Sequence, residues 1–304
     1  MFELIFLGTS ASAPSIQRGL SAQIVKHDEY RFLVDCGEGT QRQILKAGVG
    51  FKRLNRVLLT HGHLDHILGL GGLLSTLMRW EALDELEVFG SRHTLDRVHD
   101  LLYGVVLRGK KPETKLYLRE VKPGVIFEAK NFTVSAFSVS HRGPGCLGYK
   151  FEEKSHRPFL ADKADEIGIP FGPIRGDLVR GESITLPDGR RIEPEELLGA
   201  RVDGASLAIT GDTGKTDNLL EICKGLDTLV IESTYINEDA EMARKFGHLT
   251  ARQAAELAKQ AGVKQLILTH LSRRNREKDV RREARATFPN AYVARDFDTY
   301  TIKK

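Results

Sequence analysis

The apolar run Val57-Leu58-Leu59 ends in Thr60-His61-Gly62-His63-Leu64-Asp65-His66, which puts three imidazoles and a carboxylate within six residues. A turn at the end of a strand fans alternating side chains toward one point. Zinc favours such a set, histidine nitrogen and carboxylate oxygen at roughly 2.0–2.2 Å. Four such groups can feed two ions, with the carboxylate offsetting part of the doubled positive charge. The competing reading is a solvated histidine-rich loop. The internal position of the run and the strand before it argue against that reading.

Three further candidates occupy the same structural context. His141 ends the strand expected from Phe132, Asp212 follows Leu207-Ala208-Ile209-Thr210-Gly211, and His270 follows Leu266-Ile267-Leu268-Thr269. A lone histidine after a strand is ordinarily structural. Acidic and imidazole groups at three separate strand ends, beside a HxHxDH turn, favour one shared site, because binding sites gather where strands open into loops.

The rest of the chain alternates strands and helices. Strands are expected at Leu4 to Leu7, Arg31 to Val34, Arg56 to Thr60, Phe132 to Val139, Ser206 to Thr210, Leu229 to Ile231 and Gln265 to Thr269. The clearest helix is Thr250 to Ala261, where Thr250 and Gln253 have the spacing of a capping box and Gly262 ends the run. The fold class is therefore α/β, suited to a sandwich of two sheets. From about Lys154 to Leu198 the pattern lapses into prolines, glycines and charges, which reads as an insertion leaving the core, either functional or a flexible surface loop.

At 304 residues and 41% hydrophobic content, the chain can build one large domain plus such an insertion. Its first residues alternate like a strand and lack the features of a secretory signal. No apolar run reaches the roughly 20 residues needed to cross a bilayer, and Leu68 to Met78 resembles a core helix. A soluble, cytoplasmic protein is expected. Cys36, Cys146 and Cys223 show no CxxC spacing, so neither a disulfide framework nor a thiolate metal site is indicated. Net charge is only +4, but Arg273, Arg274, Arg276, Lys278, Arg281, Arg282 and Arg285 cluster, as a solvated helix face or for an anionic partner.

HxHxDH followed by a distant His, Asp and His resembles the metallo-β-lactamase superfamily over nearly the whole chain. The resemblance implies an αββα sandwich with two zinc ions. His61, His63 and His141 would hold one, Asp65, His66 and His270 the other, and Asp212 would bridge them. Within that superfamily, Phe6-Leu7-Gly8-Thr9 with Pro14, and Asp35-Cys36-Gly37-Glu38-Gly39-Thr40-Gln41, are similar to the ribonuclease Z patterns. Asp35 and Glu38 could orient ligating imidazoles. The implied function is cleavage of precursor tRNA at its 3′ side, releasing the trailer and leaving a 3′ hydroxyl. Asp65 would orient or deprotonate the nucleophile, and His248 would protonate the departing oxygen. Residues 154–197, with Gly168-Ile169-Pro170-Phe171-Gly172-Pro173 at the head and Lys154, Lys163, Arg175, Arg180, Arg190 and Arg191 along them, resemble the family's tRNA-clamping arm. The family also implies a homodimer.

The chain departs from the usual family form at Ile231-Glu232-Ser233-Thr234-Tyr235, at Gly247-His248-Leu249-Thr250 and after His270. Two other functions compete: a hydrolase of small esters, lactones or thioesters on the same fold, and a protein that holds RNA without cutting it. Nitrogen and oxygen ligands also leave manganese and iron open beside zinc.

Overall fold

The computed structural model describes all 304 residues, which form two compact units: residues 1–152 with 205–304, and residues 153–204. The first unit is built on two seven-stranded sheets. In spatial order the first sheet runs Thr299–Ile302, Phe2–Gly8, Ala22–His27, Tyr30–Val34, Arg56–Leu58, Glu85–Gly90 and Lys115–Glu120; the second runs Ala291–Val293, Gln265–Thr269, Thr228–Glu232, Ser206–Ile209, Leu147–Glu153, Phe132–Ser138 and Gly124–Glu128. The strand before the HxHxDH turn, Arg56–Leu58, is fifth in the first sheet, and those before Asp212, His141 and His270 are fourth, sixth and second in the second, so every candidate follows a strand with a neighbour on each side. Arg56–Leu58 is parallel to Tyr30–Val34 and Glu85–Gly90, and Thr228–Glu232 is parallel to Ser206–Ile209 and Gln265–Thr269.

Three apolar layers separate the elements. Phe2, Leu4, Phe6, Phe32 and Val34 of the first sheet meet Phe132, Tyr149, Phe151, Leu207 and Val230 of the second. Their rings meet edge to face, with centroids 5.7 Å apart for Phe2 and Phe132 and 5.5 Å for Phe32 and Phe151. On the far side of the first sheet, Ile5, Leu7, Leu33 and Val57 pack against the helices Thr40–Lys46, Gly69–Arg79 and Arg92–His99. Phe2–Gly8 is thus covered on both faces, which is why it reads FELIFLG rather than as a strict alternation. Beyond the second sheet, Leu229, Leu266 and Leu268 pack against Ala251–Gln260 and Glu277–Thr287. The result is the helix–sheet–sheet–helix sandwich expected from the sequence.

Local expectations hold at most elements. The helix Ala251–Gln260 carries its capping box: the Gln253 amide donates to Thr250 Oγ1 at 3.3 Å and the Thr250 amide to Gln253 Oε1 at 2.9 Å. The core helix is Gly69–Arg79, burying Leu70, Leu73, Leu74 and Leu77. No helix is long and apolar enough to cross a membrane.

The second unit corrects one reading of the sequence. It is not a structureless loop. Helices Ala161–Glu166, Pro173–Val179 and Pro194–Leu197 and the short hairpin Ile184–Thr185/Arg191–Ile192 surround a small core of Ala164, Ile169, Leu178, Ile184, Leu186, Ile192 and Leu197. These apolar residues come from six short segments joined by turns, so no window shows a period. Nor is the segment basic: residues 154–197 hold seven lysines and arginines against nine aspartates and glutamates. Arg175 pairs with Asp165, Arg180 with Asp177, Arg190 with Asp188 at 2.7 Å and Arg191 with Glu193 at 2.8 Å. Phe171, by contrast, is 94% exposed.

Candidate metal centre

The strand Tyr30–Val34 hands over to Asp35 in a left-handed conformation, φ 59°, costly for a residue with a Cβ. The carboxylate's bonds hold it there. Asp35 accepts from the Thr60 amide at 2.8 Å, from Thr60 Oγ1 and from His66 Nδ1 at 2.8 Å. Thr60 Oγ1 also lies 3.0 Å from His61 Nδ1. One buried acid therefore aims two of the motif's imidazoles, leaving His66 Nε2 turned inward. On the opposite side His270, at φ 57° after Gln265–Thr269, is aimed by Thr234 Oγ1 at 2.9 Å from its Nδ1. Gly211, at φ 64°, carries the chain into Asp212; a Cβ there would lie 2.7 Å from Thr60 Cβ, so only glycine lets these two loops touch.

The structure brings all seven ligand candidates together. Donor atoms of His61, His63, His141 and Asp212 lie within 4.8 Å of one another, as do those of Asp65, His66 and His270. Asp212 Oδ2 stands between the two groups, 3.8 Å from His61 Nε2, 3.9 Å from His141 Nε2 and 3.4 Å from both His66 Nε2 and His270 Nε2. Asp65 Oδ2 is 3.4 Å from His270 Nε2 and accepts from the Ser12 amide at 2.9 Å.

At this centre His66 Nε2 is buried without a hydrogen-bond partner, an expensive arrangement unless something charged engages it. Burial pushes His61, His63 and His141 below the usual imidazole range, and the neighbouring imidazoles push His61 and His63 further the same way. They are held neutral, as ligands must be. Burial opposes ionisation of Asp212, yet the imidazoles around it hold its carboxyl well below the carboxylate range. Burial would lower His66 too, but Asp212 and Asp35 outweigh it and raise that imidazole well above its ordinary value. The protein's own charges thus call for a positive centre where neutral nitrogens and carboxylate oxygens converge, and the donor set fits a divalent metal ion.

Beside this set lies a device only partly visible in the sequence. Glu232, ending the strand Thr228–Glu232, is buried and accepts from the amides of Thr213 (2.9 Å), Thr234 (3.3 Å) and Leu249 (3.2 Å), from Thr234 Oγ1 (2.6 Å) and from His248 Nδ1 (2.8 Å). Burial depresses the His248 imidazole, but Glu232 overcomes it and pushes the value up to about 9. His248, Asp65, His63, Arg142, Arg273 and Arg274 line one cavity of about 470 Å³. Glu38, expected to help orient an imidazole, is exposed instead; Glu232 and Thr234 do that work on the far side. The signal for Glu232 was an acid closing the apolar run Leu229-Val230-Ile231. Much of the basic cluster is also spoken for, through Arg276 and Arg282 with Asp279 and Arg281 with Glu277.

Two family models match, each over part of the chain: "Anti-Pycsar protein Apyc1" over residues 2–160 and "Beta-lactamase superfamily domain" over residues 166–271. Among solved structures, human tRNase Z, short form, superposes with a TM-score of 0.71 at 24% identity over 99% of this chain and 100% of that one. The metallo-beta-lactamase fold protein YhfI from Bacillus subtilis gives 0.69 at 17%, covering 98% of each. These two likenesses speak for the fold. Sequence relatives go further: a ribonuclease Z of Bradyrhizobium sp. (strain ORS 278) is 45% identical over 99% of this chain and 100% of its own length, and one of Gemmatimonas aurantiaca 41% over 96% and 93%. With identity at that level over almost the whole length of both chains, the chain belongs to the ribonuclease Z family.

Proposed function

We propose that this chain is a zinc-dependent endoribonuclease that cuts precursor tRNA on its 3′ side, releasing the trailer and leaving a 3′ hydroxyl on the tRNA. The observation that carries the reading is the gathering of seven candidate metal ligands beside His248, itself held by buried Glu232, in a chain whose full-length relatives are ribonucleases Z. His61, His63 and His141 would hold one ion, Asp65, His66 and His270 a second, with Asp212 between them. Bound there, the ions would make water acidic and neutralise the phosphate oxygens. The remaining work belongs to side chains. Asp65, fixed by the Ser12 amide and His270, orients the attacking water and takes its proton. As the new P–O bond forms and the P–O3′ bond breaks, His248 gives its proton to the 3′ oxygen and Glu232 stabilises the charged ring beforehand. Arg142, Arg273 and Arg274 at the cavity wall suit the flanking phosphates.

Residues 154–197 are the arm that grips the body of the tRNA in this reading. Since their arginines are already paired with acids, exposed Phe171 at the Gly168–Pro173 head is the stronger recognition element, as an aromatic platform for a base or ribose. The enzyme acts as a cytoplasmic homodimer; exposed Leu68 and Val105 beside the motif helices supply the apolar surface. Incubating metal-loaded protein with a trailer-bearing precursor tRNA and, separately, with a small lactone or thioester tests the activity. Turnover of the small ester with intact RNA would overturn it in favour of the small-molecule hydrolase.

A further inference from the structure

Beneath the metal centre, where the ends of the two sheets meet, lies a second, far smaller chamber of about 10 Å³, the least space that admits a single water. Gln23 from the first sheet, Thr269 from the second, and Asp212 and His66 from the centre line it. Gln23, Thr269 and Asp212 are 4%, 8% and 3% exposed, and Gln23 Oε1, Thr269 Oγ1 and Asp212 Oδ1 are all buried without a hydrogen-bond partner. His66 Nε2, also unpartnered, turns toward the Asp212 Oδ2 side of the centre; the other three unpartnered groups around the chamber have a common chemical solution. Gln23 Oε1 and Asp212 Oδ1 can only accept, whereas the Thr269 hydroxyl can donate. A water molecule donates twice and accepts, so it satisfies all three, matching the roughly three bonds that buried waters make.

We propose that Gln23 and Thr269 are positioning residues for the metal centre, acting on Asp212 through one shared buried water. Oδ2 of Asp212 faces the imidazoles at 3.4–3.9 Å, while the water anchors Oδ1 and fixes the rotation of the carboxylate. Neither residue touches substrate. The proposal rests on the reading of Asp212 as the shared ligand, but its test does not depend on RNA cleavage.

The test measures zinc affinity by competition with a chromophoric chelator in Gln23→Leu, Thr269→Val and the double variant, with thermal unfolding of each metal-free protein as a control for folding. Each single variant is expected to lose about tenfold in affinity, the low end of the range for groups that support metal ligands. The double variant should lose no more than the worse single one, because both residues serve the same water. Thr269→Ser, which keeps the hydroxyl, should stay within about twofold of the parent. A crystal structure of the parent should show one ordered water about 2.7–3.2 Å from the three oxygens. Losses that multiply in the double variant, unchanged affinity in both single variants, or a chamber without that water would each overturn the proposal. A protein that binds zinc as expected here yet fails to cut tRNA would instead count against the proposed function alone.

Discussion

Replacing His248 by alanine separates chemistry from architecture. The ring is bound to Glu232 at 2.8 Å, and deleting it leaves that carboxylate with four of its five donors: the amides of Thr213, Thr234 and Leu249 and the Thr234 hydroxyl. One lost charge-assisted hydrogen bond on a carboxylate that keeps its other four donors costs roughly 1.5–3 kcal/mol, which in a chain of this size lowers Tm by about 3–12 °C. Proton delivery to the leaving oxygen is a larger matter. General acid catalysis contributes about 10²–10⁴-fold, equivalent to roughly 3–5 kcal/mol of barrier. The 3′ oxygen of a ribose is a poor leaving group and needs the proton; p-nitrophenolate does not. His248→Ala is therefore expected to slow single-turnover cleavage of a precursor tRNA about 10²–10⁴-fold while slowing a p-nitrophenyl phosphodiester only a fewfold. Equal losses on the two substrates, or a fall in Tm beyond that range, would refute proton donation and make His248 a structural ligand of Glu232.

Three further outcomes are expected. Asp212→Ala, which removes the oxygen shared by two groups of imidazoles, should abolish hydrolysis of every substrate and lower the number of bound metal ions by elemental analysis; full loading with normal turnover would disprove the ligand assignment. Gly211→Ala forces a Cβ to within 2.7 Å of Thr60 at a positive φ and should weaken metal affinity at least tenfold by displacing Asp212, whereas affinity equal to the parent's would show that the loop has slack. Replacing residues 154–197 with a short glycine-serine linker should preserve small-diester hydrolysis and weaken precursor binding sharply. Because the segment's arginines are paired internally, the slope of log affinity against log salt should change by no more than about one phosphate contact, 0.7–0.9; unchanged tRNA affinity would remove the arm from the reading.

The clustering of the HxHxDH turn was legible because it is local: strand, turn and four candidate ligands lie within ten residues. His141, Asp212 and His270 were legible by context, each standing where an apolar strand gives way to polar residues. Harder to read were groups whose importance depends on distant partners. Glu232 gains its role from Thr213, Thr234, His248 and Leu249, none predictable from its own neighbours, and Glu38 lost its expected role because its side chain leaves the site. The core of residues 153–204 escaped notice for a related reason: short segments that pack across turns leave no periodic trace.

The origin of the seven candidate ligands has a consequence for supply. His61, His63, Asp65 and His66 follow a strand of one sheet, and His141, Asp212 and His270 follow strands of the other. An ion seated between them would act as a rivet through the sandwich, so metal uptake would be linked to the stability of the fold. Once free metal exceeds the dissociation constant, each tenfold rise adds about 1.4 kcal/mol to the stability of the folded chain. Starvation for the ion would then loosen the grip of the two sheets on one another as well as silence the site, and the abundance of the protein would itself report how much metal its surroundings provide.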